Sequence, residues 1–298
     1  MSELVDCINN LSAKDIIKSV AKTANGTPFY LQTYGLGGFC DEYQRIYDDL
    51  EGIGTPPGAA VAAAQNTMVC GLVDAGIWAK LDIFYLFAQT TNAGGEALMN
   101  WVTTGLYNAT AFNAPAFVAL EGFSGDGASA YIDSNWNCNS DAINYALNSA
   151  SMGAYVRTNV AENKYVFGVQ DLTPDVTRVN PRLATNVGEW WINNAIKESV
   201  AAQMDSRGMY IITRSAANSR TGYRNKAVWG QDAAVSVGVP DGDVFILCQN
   251  VVGTGSNLIT SRQVSVFFAG SILDLAEVTI ATDAIETYMD SNGKGVIP

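Results

Sequence analysis

The chain has 298 residues, with 17 Lys+Arg, 29 Asp+Glu and no histidine, for a formal net charge of −12. Only 15 % of residues are charged, against about 25 % in ordinary globular domains, while 48 % are hydrophobic and 28 are glycine. The missing imidazole excludes Ser-His-Asp and Cys-His catalysis, His-bearing zinc sites and histidine pH switches. The acidic balance argues against a nucleic-acid surface, and the apolar content excludes a disordered chain.

The start, Met1-Ser2-Glu3-Leu4-Val5-Asp6, lacks the basic residues and apolar run of a signal peptide. Residues 1–57 read as an N-terminal arm for assembly or anchoring, packed on a partner. Ser12 is placed to cap a short helix through Ile16, Ile17 and Val20, which Asn25-Gly26-Thr27-Pro28 breaks. After the loop Gly35-Leu36-Gly37-Gly38, Asp41 is placed to cap a helix over Tyr43, Ile46, Tyr47 and Leu50. Gly52, Gly54 and Pro56-Pro57 stop it. This front third is also the most acidic, with 5 basic and 11 acidic groups over residues 1–100.

Residues 58–100 read as a helical lead-in. Met68, Leu72, Ala75 and Ala79 make one apolar stripe, and Ile77, Leu81, Phe84, Tyr85 and Ala88 repeat it, with a break near Gly76. The most apolar stretch, Gly58 to Ala88, carries Gln65, Asn66, Asp74, Lys80 and Asp82. It is too polar for a membrane span, and no membrane insertion is expected.

From Tyr107 the period changes to alternation. Strands are predicted over Phe117–Phe123, Ala128–Asp133, Ser151–Arg157, Tyr165–Val169, Glu189–Asn193, Met209–Thr213, Thr221–Asn225, Val244–Gln249 and Gln263–Ala269. The expected fold is mainly β: a two-sheet antiparallel jelly-roll sandwich over residues 101–298, preceded by the helical region and closed by a C-terminal helix. That last helix begins at Asp274, with Glu277 completing a capping box, and ends at Asn292-Gly293.

Cys7, Cys40, Cys70, Cys138 and Cys248 are odd in number and widely spaced. They read as free thiols in a chain folded in a reducing cytoplasm.

Several motifs bear on function. Gly125-Asp126-Gly127-Ala128-Ser129-Ala130 fits a loose dinucleotide pattern, but a strand follows it, so it reads as a hairpin turn. Asp133, Asn135, Asn137, Asn139 and Asp141 place oxygen ligands at alternate positions, like the front of a calcium loop. The later Gly and Glu of such a loop are replaced by Cys138 and Asn144, so self-bonded Asx turns compete with a metal role. Arg207, Arg214, Arg220, Arg224 and Lys226 form either an anion patch or, by preference, the solvent face of two strands or pairs with some of the acids. Trp136, Trp190, Trp191 and Trp229 are candidate sugar-stacking platforms, with core burial or subunit contact as the preferred competing role. Trp190 and Trp191, adjacent on a strand, must face opposite sides, which predicts one in the core and one exposed or at an interface. Glu121, Asp126 and Asp133 are the carboxylates open to a polysaccharide depolymerase, though they form no tight acidic strand motif. No phosphate loop is present, and no cofactor is expected.

A set of short segments, in order, resembles the tailed-bacteriophage virion proteins that carry a concanavalin A-like (laminin-G-like) jelly roll. They are Gly76-Ile-Trp-Ala-Lys-Leu-Asp82, Phe84-Tyr-Leu-Phe-Ala88, Ala97-Leu-Met-Asn-Trp101, Asn113-Ala-Pro-Ala-Phe117, Glu121-Gly-Phe-Ser-Gly-Asp-Gly127, Thr213-Arg-Ser-Ala-Ala-Asn218 and Ser261-Arg-Gln263. The resemblance covers about residues 70–295. It implies a non-enzymatic structural or adhesive part of the particle: a tail fibre, receptor-binding protein or head-surface fibre. It also implies a homo-oligomer, often a trimer, with other virion proteins and host glycans as partners, made in the host cytoplasm. The E-x-D-x-x-E motif of the glucanase branch of that fold has no match here, and no catalytic residue is carried over. A carbohydrate-binding module is the alternative.

Overall fold

A computed structural model describes residues 20–22, 28–30, 38–173 and 175–298. The elements begin with β1 (Val20–Lys22), β2 (Pro28–Tyr30), α1 (Asp41–Gly52), α2 (Ala59–Asp74) and β3 (Leu81–Leu86). Next come β4 (Thr110–Phe112), β5 (Ala116–Val118), β6 (Gly122–Ser124), β7 (Tyr131–Asn137), β8 (Ala150–Val156), β9 (Phe167–Gln170), β10 (Val176–Asn180), β11 (Gly188–Trp191) and β12 (Glu198–Val200). The chain continues with β13 (Gly208–Ala216), β14 (Ser219–Arg224), β15 (Ala227–Asp232), β16 (Asp243–Ile246), β17 (Gln249–Val251), β18 (Gly255–Asn257), β19 (Gln263–Gly270) and α3 (Leu275–Ser291). The helix expected from Ser12 and the residue Cys7 lie outside the described residues. Val20, its expected end, opens β1 instead.

The fold is mainly β, two largely antiparallel sheets forming a sandwich. One sheet runs β15-β14-β13-β8-β19-β6-β5, with β3 also on β19. The other runs β12-β11-β10-β9-β16-β7-β4, with β17 joined to β9 in parallel and β18 to β17. Between the sheets lies one core that includes Ile83, Tyr85, Phe167, Val179, Trp190 and Phe267. A second core lies on the outer face of the first sheet, where Phe84, Leu86, Ile211 and Phe268 meet Ile46, Leu72 and Ile285 of the three helices. Among the described residues the two sheets are therefore covered unequally: helices back the first, and none backs the second.

Strand β3 shows why this layering matters. The sequence predicts a helix through Leu81, Phe84 and Tyr85, and the structure corrects it to a strand. Ile83 and Tyr85 point into the sandwich, while Phe84 and Leu86 point at the helices. A strand buried on both faces reads as an unbroken apolar run, and its spacing also satisfies a helical stripe. Gly76, at φ +71°, turns the chain out of α2 before this strand.

The helices follow their signals closely. Asp274 and Glu277 form the reciprocal capping box, with Glu277 N donating to Asp274 and Asp274 N donating to Glu277. Gly293, at φ +67°, follows the last turn. α1 differs in one detail: Cys40 is its cap residue and Asp41 its first helical residue.

Within the arm, α1 packs on its own chain. Tyr43, Ile46 and Leu50 are buried in the helix-backed core, and Arg45 donates to the carbonyls of Trp101 and Val102. Cys40 and Cys70 form a disulfide that ties the start of α1 to α2, with Cα atoms 6.0 Å apart. This overturns the free-thiol expectation for that pair. The two positions are 30 residues apart in sequence and meet only through helix pairing. Cys138 and Cys248 are buried free thiols.

Candidate functional site

The aromatic candidates are buried. Trp136 and Trp190 have no exposure and belong to the core between the sheets. Trp190 packs so closely on β14 that a Cβ at Gly222 would sit 2.8 Å from its Cε2. Trp191 does point to the opposite side of β11, as pleating requires. It is not an open platform there: the Arg178 guanidinium lies 4.1 Å from its ring centroid, and Tyr165 meets it edge-on at 6.0 Å. The expected exposure of one member of this pair is corrected, because cation–π and aromatic contacts seal the outer one. Trp229, with 7 % exposure, is also buried, yet it lines a surface cleft.

The Asx-rich run lies on β7 and the turn after it. Asp133 accepts from Asn135 N, Asn137 accepts from the N–H groups of Asn139 and Ser140, and Asp141 accepts from Asn137 N. The Asn135 and Asn137 amides donate outward, to Asn108 O and Asp241. Among the described residues no group of three or more acidic, Cys or His ligands converges on one point. The arrangement is that of self-bonded turns, and these five residues are not brought together as a ligand shell. Burial, with a smaller push from Asp243, raises the Asp133 carboxyl to about 6.

The depolymerase carboxylates are each engaged separately. Glu121 is ion-paired with both Arg157 and Lys294 at 2.5 Å. Asp126 accepts the backbone N–H groups of Ala128, Ser129 and Ala130, and these bonds hold its carboxyl well below the usual range. Its turn is not a hairpin: β6 belongs to one sheet and β7 to the other, so Gly125–Ala130 crosses the sandwich.

The arginine cluster divides in two. Arg214 and Arg220 are buried cross-strand neighbours, which corrects the solvent-face alternative, while Arg220 follows the alternative of pairing with an acid. Arg214 donates to the carbonyls of Ile192, Ala217 and Ala234, and burial brings it down to about 10. Arg220 is paired with Asp232. Arg207 and Arg224 instead reach the surface cleft that Trp229 lines, a depression of 510 Å³ beside the β14–β15 hairpin. Arg207 is held bidentately by Asp205, with bonds of 2.8 to 3.1 Å. Burial of Asp205 opposes ionisation, but hydrogen bonds from Arg207 and the charges of Arg207 and Arg224 outweigh it and keep the carboxyl low.

The sequence points to Trp229 and to the arginines separately. Their convergence could not be read from spacing, because Gln203, Arg224 and Trp229 arrive from a loop and two strands.

No family model matches the chain, and no curated protein does. Among solved structures it is similar to a point mutant of HCR/D, at 12 % identity and TM-score 0.50, over 70 % of this chain and 53 % of that one. It is equally similar to the receptor binding domain of botulinum neurotoxin C/D mosaic serotype, at 11 % identity and TM-score 0.50, over 70 % and 52 %. A Trypanosoma rangeli sialidase in complex with sialic acid matches at 13 % identity and TM-score 0.48, over 73 % and 34 %. The chain spans about half the length of the first two structures. At these identities the shared property is the fold: a β-sandwich of the kind found in receptor-binding domains.

Proposed function

We propose that this chain is a non-catalytic structural component of a tailed-bacteriophage particle, displaying a lectin-like sandwich that contacts a host receptor. The observation that carries this reading is the unequal covering of the sandwich. Among the described residues three helices close the outer face of one sheet and none covers the other, while the Trp229 cleft lies at the β14–β15 rim. A domain held by one face and presenting the other is suited to display. The Cys40–Cys70 disulfide supports the same reading, since disulfides persist on virion and cell surfaces.

In this proposal the helix-backed side, with α1 and α2, faces the particle or the other copies of a trimer, and the rest of the sandwich faces outward. Mass spectrometry and immunogold labelling of purified particles test it. The chain is expected in stoichiometric amounts on the particle surface, and its absence from purified particles would sink the proposal. A carbohydrate-binding module is the compatible second reading, supported by the fold shared with a receptor binding domain.

A further inference from the structure

We infer that the cleft between Gln203–Arg207 and the β14–β15 hairpin binds a sugar bearing a carboxylate, a uronic- or sialic-type acid. The inference deepens the receptor-contact reading and rests on it for its biological meaning, but the chemistry comes from the side chains that line the cleft.

Arg224 is the anchor. Its Nε and Nη2 both donate to the Arg207 carbonyl, at 3.3 and 2.9 Å, and Nη1 reaches Gln203 Oε1 at 3.5 Å. A guanidinium has five N–H donors in one plane. With its side edge spent on one carbonyl, the end-on fork, one N–H from each Nη, remains. That fork matches the two oxygens of a carboxylate. Among the described residues Arg224 belongs to no ion pair, whereas its neighbour Arg207 is neutralised by Asp205. The cleft thus holds an arginine with no ion pair of its own beside the Arg207–Asp205 pair, whose carboxylate also feels the Arg224 charge.

The surrounding groups fit a pyranose. Val200, Val228 and Val296 give apolar wall, and the 7 % exposed edge of Trp229 closes one side. Asn225 supplies an amide on the polar side, while Gln203 is spent on Arg224 and, through its Nε2, on the Ala201 carbonyl. Asn225 is fixed, since its Oδ1 accepts Met209 N at 2.9 Å and it stands in a left-handed turn at φ +49°. An apolar wall, a few fixed polar groups and one charge at a concave site are what small-ligand recognition requires. A neutral sugar would leave the Arg224 fork unanswered, and a bare carboxylate would leave the wall and amide unused.

The test is isothermal titration of the full chain with sodium glucuronate, N-acetylneuraminate, glucose and sodium acetate. The expected result is saturable binding of at least one acidic sugar, with glucose and acetate weaker by about tenfold or more, the equivalent of one charge-assisted contact. Arg224→Lys keeps the charge but not the fork, and is expected to lose about tenfold or more. Val228→Glu, at a half-exposed position on the rim, sets a competing carboxylate near Arg224 without touching the core, and is expected to weaken the acidic sugars more than glucose. Saturable binding of neither acidic sugar would overturn the inference. So would glucose or acetate binding as tightly, or acidic-sugar affinity unchanged in both variants. Absence of the chain from particles would defeat the virion role and leave these titrations unaffected.

Discussion

Arg220 and Asp232 form a two-pronged ion pair across the β14–β15 hairpin, with Nε–Oδ1 and Nη2–Oδ2 both at 2.6 Å. The arginine side chain is fully buried, its Nη1 donates to the Ile196 carbonyl, and its Cζ lies 5.0 Å from the Trp190 ring centroid. The pair therefore joins the two sheets at their open end, where Trp190 fills the interior.

Removing one partner should cost more than the pair itself contributes, because the other charge stays buried. Asp232→Asn is expected to destabilise the fold by about 3 kcal/mol, read by urea denaturation at pH 7. The Arg220 hydrogen bonds lower the Asp232 carboxyl from 3.8 to about 2. A depressed carboxyl contributes its stability above its unfolded value and loses it as pH falls through the folded one. Between pH 4 and 2 the gap between the native protein and the variant should therefore shrink. A gap that stays constant with pH would show that the pair is not the source.

Asp133 works in the opposite direction. Its carboxyl is raised from 3.8 to about 6 by burial and by Asp243. The folded state then holds a proton that the unfolded chain has released, so this group lowers stability as pH rises from about 4 to 6. Asp133→Asn keeps an oxygen for the Asn135 N–H and is expected to raise stability at pH 7. The side chain is partly open to solvent, so screening limits the gain to about 1 kcal/mol. At pH 3 the two proteins should unfold alike. A gain at pH 3 as large as that at pH 7 would refute the assignment.

The Cys40–Cys70 disulfide closes a separation of 30 residues. A cross-link of that span restricts the unfolded chain by about 3–4 kcal/mol in the loop-entropy treatment. Cys70→Ser is expected to lower the denaturation midpoint, and reductant should do the same to the native protein but not to the variant. Equal sensitivity of both proteins to reductant would contradict the bond.

The β14–β15 hairpin turns on Asn225 and Lys226, with φ of +49° and +73°. Two-residue hairpins of this twist favour glycine at the second position. Lys226→Gly should relieve the left-handed backbone and raise stability by about 1 kcal/mol. Its ion pair with Asp283 is exposed and contributes little against that gain. Thermal melts of the two proteins decide the matter, and a lower midpoint for the variant would show that the pair outweighs the strain.

The sequence by itself determined those elements whose signals are local. The capping box of Asp274 and Glu277 and the Gly293 stop require only neighbouring residues, and α3 lies where they place it. Met209–Thr213 and Gln263–Ala269 alternate strongly enough to be read as strands, and both are found inside β13 and β19. The two-sheet architecture follows from the number and spacing of such runs. What tertiary structure alone decided is where each side chain went. Ile83, Phe84, Tyr85 and Leu86 carry no label saying that helices will cover one face, so a doubly buried strand and a helix look alike. Trp191 is sealed by Arg178, a residue on the neighbouring strand, and Cys40 finds Cys70 only when α1 and α2 pair. Arg214 and Arg220 share a strand pair with Arg224, yet two are swallowed by carbonyls and a carboxylate while the third meets solvent at the cleft. Composition and period act along the chain, whereas burial and charge pairing act across it, and the candidate site is made of the latter.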